Sequence, residues 1–100
     1  MNDYKSIPRN EFFVYCKRAF ESFRLSTYMT DRYLRYIEYI SQYMEDMNID
    51  YYDLNFSLAF QEKIAKADNS PNQRKSKEYS CALSLIDRFI QGLPYVAQRK

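Results

Sequence analysis

The sequence predicts an all-α protein, a compact four-helix bundle, and three observations lead to this fold class. Apolar residues recur at steps of three and four along four stretches, which is the period of an amphipathic helix. The chain holds a single glycine and no alternating apolar runs, so little in it favours a sheet. Its 100 residues, 46% of them hydrophobic and 28% charged, suffice for one ordinary globular domain. Four helices joined by short loops can bury their apolar stripes against one another.

The first helix is expected over residues 9–24, after a flexible lead-in formed by residues 1–8. Pro8 suits the first turn of a helix, and Ser6 could cap it. The expected buried face of this helix carries Phe12, Cys16, Ala19, Phe20 and Phe23.

The second helix, over residues 30–47 and ending near Asn48, is the one around which the others are expected to pack. Residues 25–27 interrupt the apolar pattern ahead of it and offer hydroxyl groups for a cap. Arg32 and Arg35 come early in this helix and its acidic residues come late, an order that opposes the helix dipole. We therefore expect the basic end to serve another purpose. The expected apolar stripe comprises Met29, Tyr33, Ile37, Ile40, Met44 and Met47.

A short connection over residues 49–53 leads to a third and then a fourth helix. Asn55 or Ser57 is the expected cap of the third helix, which ends near Ala67. Its inward side chains are expected to be Phe56, Phe60 and Ile64.

The fourth helix carries the clearest start and stop signals of the chain. Ser70 at the N-cap, Pro71 at the first position and Gln73 at the third form a capping-box arrangement. Gly92 suits a left-handed stop, and Pro94 prevents continuation. Its expected core face carries Tyr79, Ala82, Leu83, Ile86, Phe89 and Ile90.

The opposite face of the fourth helix is the candidate functional surface. Arg74 and Lys77 of this face lie in the first two turns of the fourth helix, and Lys75 adds a third cation there. Helix N-termini bind phosphate through free N–H groups, and added cations strengthen this binding. Two helices that begin with cations therefore indicate the backbone of double-stranded DNA, although a solvated polar face is the plainer alternative. The members of this face are Arg74, Lys77, Cys81, Ser84, Arg88 and Gln91.

A row of tyrosines along one flank of the second helix leaves two interpretations open. The rings could pack beneath neighbouring helices with their hydroxyls at the rim. They could also contact DNA sugars or a partner subunit. We assign none of the eleven tyrosines a catalytic role, because no cationic pocket with a general acid is evident. The row comprises Tyr28, Arg32, Tyr36, Tyr39 and Tyr43.

Composition argues against cofactors and membranes. The chain has no histidine, and Cys16 and Cys81 lie far apart in the sequence, so we expect no metal site and no cofactor. Both thiols are expected to be reduced, with Cys16 buried. Without a long apolar run or a signal-like start, the protein is expected to be cytoplasmic, with no membrane partner. The net charge is only +2, so an anionic partner must be argued from where the charges lie.

One family resemblance follows from these spacings. The sequence resembles the N-terminal core-binding, SAM-like domain of phage-integrase-type tyrosine recombinases, particularly integrases of Gram-positive bacteria and their mobile elements. The resemblance covers about residues 10–95. It departs from many members in the spacing of Ser26, Thr30 and Tyr33, which is four and three instead of three and four. The residues that carry it are Leu25, Ser26, Thr30, Tyr33, Ile37, Ile40, Tyr43, Ile49, Ser70 and the run SLIDRFIQG at 84–92.

The resemblance implies a SAM-like bundle over residues 9–93 that grips one side of a recombination site, with its second and fourth helices facing the DNA. Residues 94–100 would lead to a separate C-terminal domain that holds the catalytic residues. The fragment would then be no enzyme by itself, while the intact protein would be a site-specific recombinase that works with other protomers. The implied DNA-binding residues are Thr27, Thr30, Arg32, Arg35, Arg74, Lys75, Lys77, Ser84 and Arg88.

A second class of function stays open beside this one. The chain could be a small helical interaction protein or accessory factor that dimerises through the tyrosine-rich second helix. That hypothesis predicts a concentration-dependent dimer and no salt-sensitive DNA binding.

Overall fold

Four α-helices build the fold, as the sequence predicts. The computed structural model describes residues 6–93, apart from the side chain at position 72. Residues 1–5 of the expected lead-in, Pro94 and the expected linker at 94–100 lie outside them. The helices are α1 (Arg9–Ser22), α2 (Thr27–Asp46), α3 (Leu54–Ala67) and α4 (Arg74–Ile90), with the short strands β1 (Ile7–Pro8) and β2 (Tyr51–Tyr52).

The two short strands form a β-clasp, which corrects the expectation of a sheet-free fold. Ile7 pairs with Tyr52 and Pro8 with Tyr51 in antiparallel register. Ile7 and Tyr52 are buried, and the Arg9 N–H donates to the Asp50 carbonyl at 2.8 Å. The lead-in therefore does not extend through residue 8. Two paired residues on each side are too few to produce an alternating pattern in the sequence.

The core forms where α1, α2 and α4 meet, closed by Tyr52 and by Phe60 of α3. The inward faces predicted for these helices are largely confirmed, since Phe12, Ile37 and Ile86 are fully buried. Met47 is the exception, because α2 ends at Asp46 and leaves this side chain 56% exposed. The core residues are Ile7, Phe12, Cys16, Ala19, Phe20, Leu34, Ile37, Ile40, Met44, Tyr52, Phe60, Ala82, Leu83, Ile86 and Ile90.

Polar caps set where α2 and α3 begin. The Met29 N–H donates to the Ser26 hydroxyl at 3.1 Å, so α2 starts at Thr27, a turn earlier than expected. The cap of α3 is Asp53, whose carboxylate accepts from the Phe56 N–H at 2.9 Å. The predicted caps Asn55 and Ser57 are wrong, because both lie within the helix.

The start of α4 differs from the predicted capping box. Gln73 adopts a left-handed conformation (φ 53°) between a 3₁₀ turn and the helix, and its side chain donates to the Ala65 carbonyl. Ser70 is the N-cap of that turn, and its hydroxyl accepts from the Lys75 N–H at 3.2 Å. The carboxylate of Asp68 also accepts from the backbone N–H groups of Ser70 and Ser76, each at 2.8 Å. The predicted stop is confirmed, since Gly92 lies in the left-handed region at φ 75°.

Candidate functional site

An open groove of about 560 Å³ lies between the first half of α2 and the start of α4. Its α2 residues follow one another at steps of three, one and three, so they occupy one helical face. The two α4 residues are one turn apart. Three cations and three phenol rings thus meet in one depression, which we call the cationic groove. It is lined by Arg32, Arg35, Tyr36, Tyr39, Lys75 and Tyr79.

Aromatic packing fixes the two phenol rings that join the helices across the groove. Tyr36 and Tyr79 meet edge to face with ring centroids 4.7 Å apart, and Tyr79 packs against the core residue Phe60 at 5.6 Å. Burial, followed by the hydrogen bond to Glu78, raises the pKa of Tyr36 to about 12. Burial also raises the pKa of Tyr79. Both phenols are therefore neutral at physiological pH, and the charge of the groove belongs to its cations.

Glu78 holds the basic part of α2 against α4. Its carboxylate accepts from Arg32 at 2.5 Å and from the Tyr36 hydroxyl. Arg74 approaches the same carboxylate at 4.0 Å. The hydrogen bond from Arg32, and then that from Tyr36, lowers the pKa of Glu78, and the same contact raises the pKa of Arg32. Arg32 also donates to the Tyr28 hydroxyl at 3.1 Å, so its guanidinium is held in place from two sides.

Two cations of the groove form no ion pair. Among residues 6–93, neither Arg35 nor Lys75 has a carboxylate within salt-bridge distance. Both side chains are exposed, and they come from different helices. An anion that enters the groove therefore meets cations from both helices that are not held by a carboxylate.

The other α4 candidates face a different side of the molecule. Lys75 and Lys77 lie two positions apart, which on a helix separates them by roughly 160°. Cys81, Ser84 and Gln91 are exposed, and Arg88 is half-buried. The candidate set thus divides between the cationic groove and a second surface, which we call the outer stripe. The outer stripe comprises Arg74, Lys77, Cys81, Ser84, Arg88 and Gln91.

Internal side chains already occupy some of the N–H groups at the two helix starts that the sequence suggested as phosphate sites. The Ser26 hydroxyl already accepts from the Met29 N–H, and Asp68 accepts from that of Ser76. Hydrogen bonds from the Ser70 hydroxyl, and then from the backbone of Ser76, lower the pKa of Asp68 to about 2, so the position that a phosphate would take is filled by an internal carboxylate. At the start of α4, side-chain cations therefore remain for an anionic ligand.

Two candidates on the first turn of α2 have different surroundings. Thr30 is only 9% exposed, and its backbone N–H donates to the Ser26 carbonyl. Thr30 therefore offers little of its surface to a ligand, and its assignment as a DNA-binding residue stays a prediction. Thr27 is exposed as the first residue of the helix.

The surroundings of the tyrosine row change along its length. Tyr43 packs against Phe56 and Phe60 of α3, with ring centroids 6.2 and 5.2 Å away. Tyr28 and Tyr39, in contrast, are 68% and 66% exposed. The row therefore begins as a surface beside the cationic groove and ends as part of the packing between α2 and α3.

The described part of the chain contains two free cysteines and no cluster of metal ligands. Within residues 6–93, no three Cys, Asp or Glu side chains come together as metal ligands. Burial, and then the charge of Asp87, raises the pKa of Cys16 well above its usual range, while Cys81 is exposed. None of the helices over the same residues combines the length and the apolar character that a membrane crossing needs.

Comparison of the chain with protein-family models, with curated proteins and with solved structures found no match. The function of the cationic groove therefore has to be inferred from its own side chains.

Proposed function

We propose that this chain is a DNA-binding domain that grips one side of a DNA duplex, in the manner of the N-terminal core-binding domain of a tyrosine recombinase. The observation that supports it best is that Arg35 and Lys75, from two different helices, line one groove and form no ion pair with any carboxylate of residues 6–93. Paired cations of this kind neutralise phosphates and release counterions, which is the main source of affinity for DNA.

The outer stripe adds a second row of contacts to this proposal. Arg74, Lys77 and Ser84 are exposed along α4, and small side chains between the cations leave room for a flat surface. Contacts of this kind fix the position of a protein on the duplex and carry little sequence information. The family resemblance supports the same assignment, since it places the second and fourth helices against DNA. In that case strand exchange is carried out by the intact protein, and this domain contributes DNA binding.

Changing Arg35 and Lys75 together to Gln is expected to weaken binding to a DNA duplex and to reduce its dependence on salt. Each phosphate contact contributes about one unit to the slope of log affinity against log salt, so the slope should fall by about two. Fluorescence anisotropy with a labelled duplex over a series of salt concentrations measures it. The matched control changes Lys17 and Arg18 of α1 to Gln, which removes the same charge from an exposed site outside the groove. Equal slopes for the two double variants would contradict the proposal.

A further double variant shows which surface carries the contacts. Changing Arg74 and Lys77 to Gln removes the two exposed cations at the start of the outer stripe. If the duplex lies across both surfaces, this variant also flattens the salt slope by about two units. If only the groove contacts phosphates, its slope matches that of the α1 control.

Dimerisation through α2 is the second candidate, and the exposure of Tyr28 and Tyr39 favours it. Exposed tyrosines are common at the centre of protein interfaces. Size-exclusion chromatography with light scattering over a range of protein concentrations tests it. A concentration-dependent dimer without salt-sensitive DNA binding would support this function and overturn the first.

A further inference from the structure

We propose that the cationic groove holds one unpaired nucleotide, with its phosphate on Arg35 and Lys75 and its base stacked on the ring of Tyr39. This inference rests on the proposed function, because it assigns the same groove to nucleic acid. It goes further in naming the state of the ligand: a nucleotide whose base has left the duplex stack, or one from a single strand.

The composition of the groove distinguishes an unpaired nucleotide from a duplex backbone. Phosphates of a duplex need only cations, and they would leave the exposed ring of Tyr39 without a partner. Tyr36 and Tyr79 pack against each other, whereas Tyr39 keeps 66% of its surface exposed. An exposed ring beside two cations that form no ion pair within residues 6–93 matches the pairing of base and phosphate in a nucleotide. Aromatic side chains next to cationic ones are the usual means of binding unpaired bases.

The volume of the groove also fits a single nucleotide. A volume of about 560 Å³ falls within the range of roughly 300–1,000 Å³ that is typical of sites for small ligands. A depression of this size can enclose a base with its sugar and phosphate. The bases of a duplex are stacked on each other, so a duplex presents no free base face to Tyr39.

Internal contacts hold the groove in shape before any ligand arrives. Arg32 is fixed by Glu78 and Tyr28, and the rings of Tyr36 and Tyr79 contact each other across the two helices. Little side-chain freedom is then lost there on binding, which favours affinity. Arg35, Tyr39 and Lys75 remain as the exposed groups that close on the ligand.

Stacking on Tyr39 predicts a difference between strands with and without bases. We would measure anisotropy of a labelled single-stranded oligothymidylate and of an abasic strand of the same length, each with wild type and with Tyr39→Ala. Wild type should bind the thymidylate strand roughly tenfold more tightly than the abasic one, and Tyr39→Ala should remove this preference. Tyr39→Phe keeps the ring and should bind as wild type does. Tyr51→Ala removes an exposed tyrosine of β2 that does not line the groove, and should change neither affinity.

Competition with free thymidine monophosphate identifies the source of the nucleotide. If it displaces the labelled strand, the groove accepts a free nucleotide. If it does not, while the preference for bases holds, the nucleotide is bound as part of a strand.

The outcomes separate this inference from the proposed function. Equal affinity of wild type for the two strands, or an unchanged preference in Tyr39→Ala, overturns the unpaired nucleotide. Duplex binding with its salt dependence on Arg35 and Lys75 would then still stand. A preference for strands with bases would support the inference. If the salt dependence of duplex binding were also the same in wild type and in the Arg35 and Lys75 double variant, the proposed duplex binding by this groove would be overturned.

Discussion

Phe12→Ala is expected to lower the free energy of unfolding by about 3–5 kcal/mol, the usual cost of removing a buried phenyl ring. Phe12 is fully buried on α1 and stacks on Tyr52 with ring centroids 4.5 Å apart. Its loss leaves a cavity at the point where α1 meets the β-clasp. Both the helical core and the clasp line that cavity, so neither can close it alone.

Thermal and urea denaturation followed by circular dichroism measure this loss. A domain of this size should melt more than about 10 °C below wild type. Val14→Ala is the matched control, since Val14 lies on the same helix but is exposed. The control should remain within about 0.5 kcal/mol of wild type. Similar losses in the two variants would contradict the assignment of Phe12 to the core.

Asp87→Ala is expected to cost roughly 2–5 kcal/mol, because it leaves two buried hydroxyl donors without an acceptor. The Tyr52 hydroxyl donates to one carboxylate oxygen of Asp87 at 2.7 Å, and the Ser57 hydroxyl donates to the other at 2.6 Å. Tyr52 and Ser57 are fully buried, so both hydroxyls depend on this half-buried carboxylate as their acceptor. Asp87→Asn keeps one acceptor oxygen in the same place and should lose much less. Urea denaturation of both variants at neutral pH measures their free energies of unfolding. Equal losses of stability in the two variants would contradict the role of Asp87 as the acceptor for these hydroxyls.

The difference in stability between wild type and Asp87→Asn is expected to depend on pH, and the sign of this dependence can be stated. Burial raises the pKa of Asp87 above its ordinary value of 3.8, so the native state binds this proton more tightly than the unfolded state. The stability of wild type relative to Asp87→Asn should therefore be greatest below about pH 4 and fall as the pH rises through the native pKa. Asp68 acts in the opposite sense, because its native pKa is lowered, but it is common to both proteins. A relative stability that rises with pH would contradict the burial of this carboxylate.

The helices were predictable because each repeats its apolar residues over several turns. Phe12 and Cys16 on α1, and Ile37 and Ile40 on α2, recur at helical steps and are all fully buried. Helix ends were harder to predict, because several polar side chains stand near each one. The predicted Ser70 precedes Pro71 at the start of the 3₁₀ turn and accepts from the Lys75 N–H, but Asp68, two residues earlier, also accepts from an N–H of α4, that of Ser76.

The candidate site was only partly predictable, because a list of cations does not say which of them share a surface. Lys75 and Lys77 are close in sequence, yet only Lys75 lines the groove with Arg35. The pairing of Glu78 with Arg74 could have been expected from their spacing of four. Its shorter contact with Arg32 of another helix depends on how α2 packs against α4, which the periodicity of either helix leaves open.

The β-clasp has a consequence for how the chain is made. Ile7 leaves the ribosome long before its partner Tyr52, and Leu83 and Ile86 of the core come later still. The first two helices can pack against each other as a nascent hairpin. The core against which their inward side chains pack is complete only once α4 has emerged. Cooperative folding should therefore wait for nearly all of residues 6–93 to be synthesised.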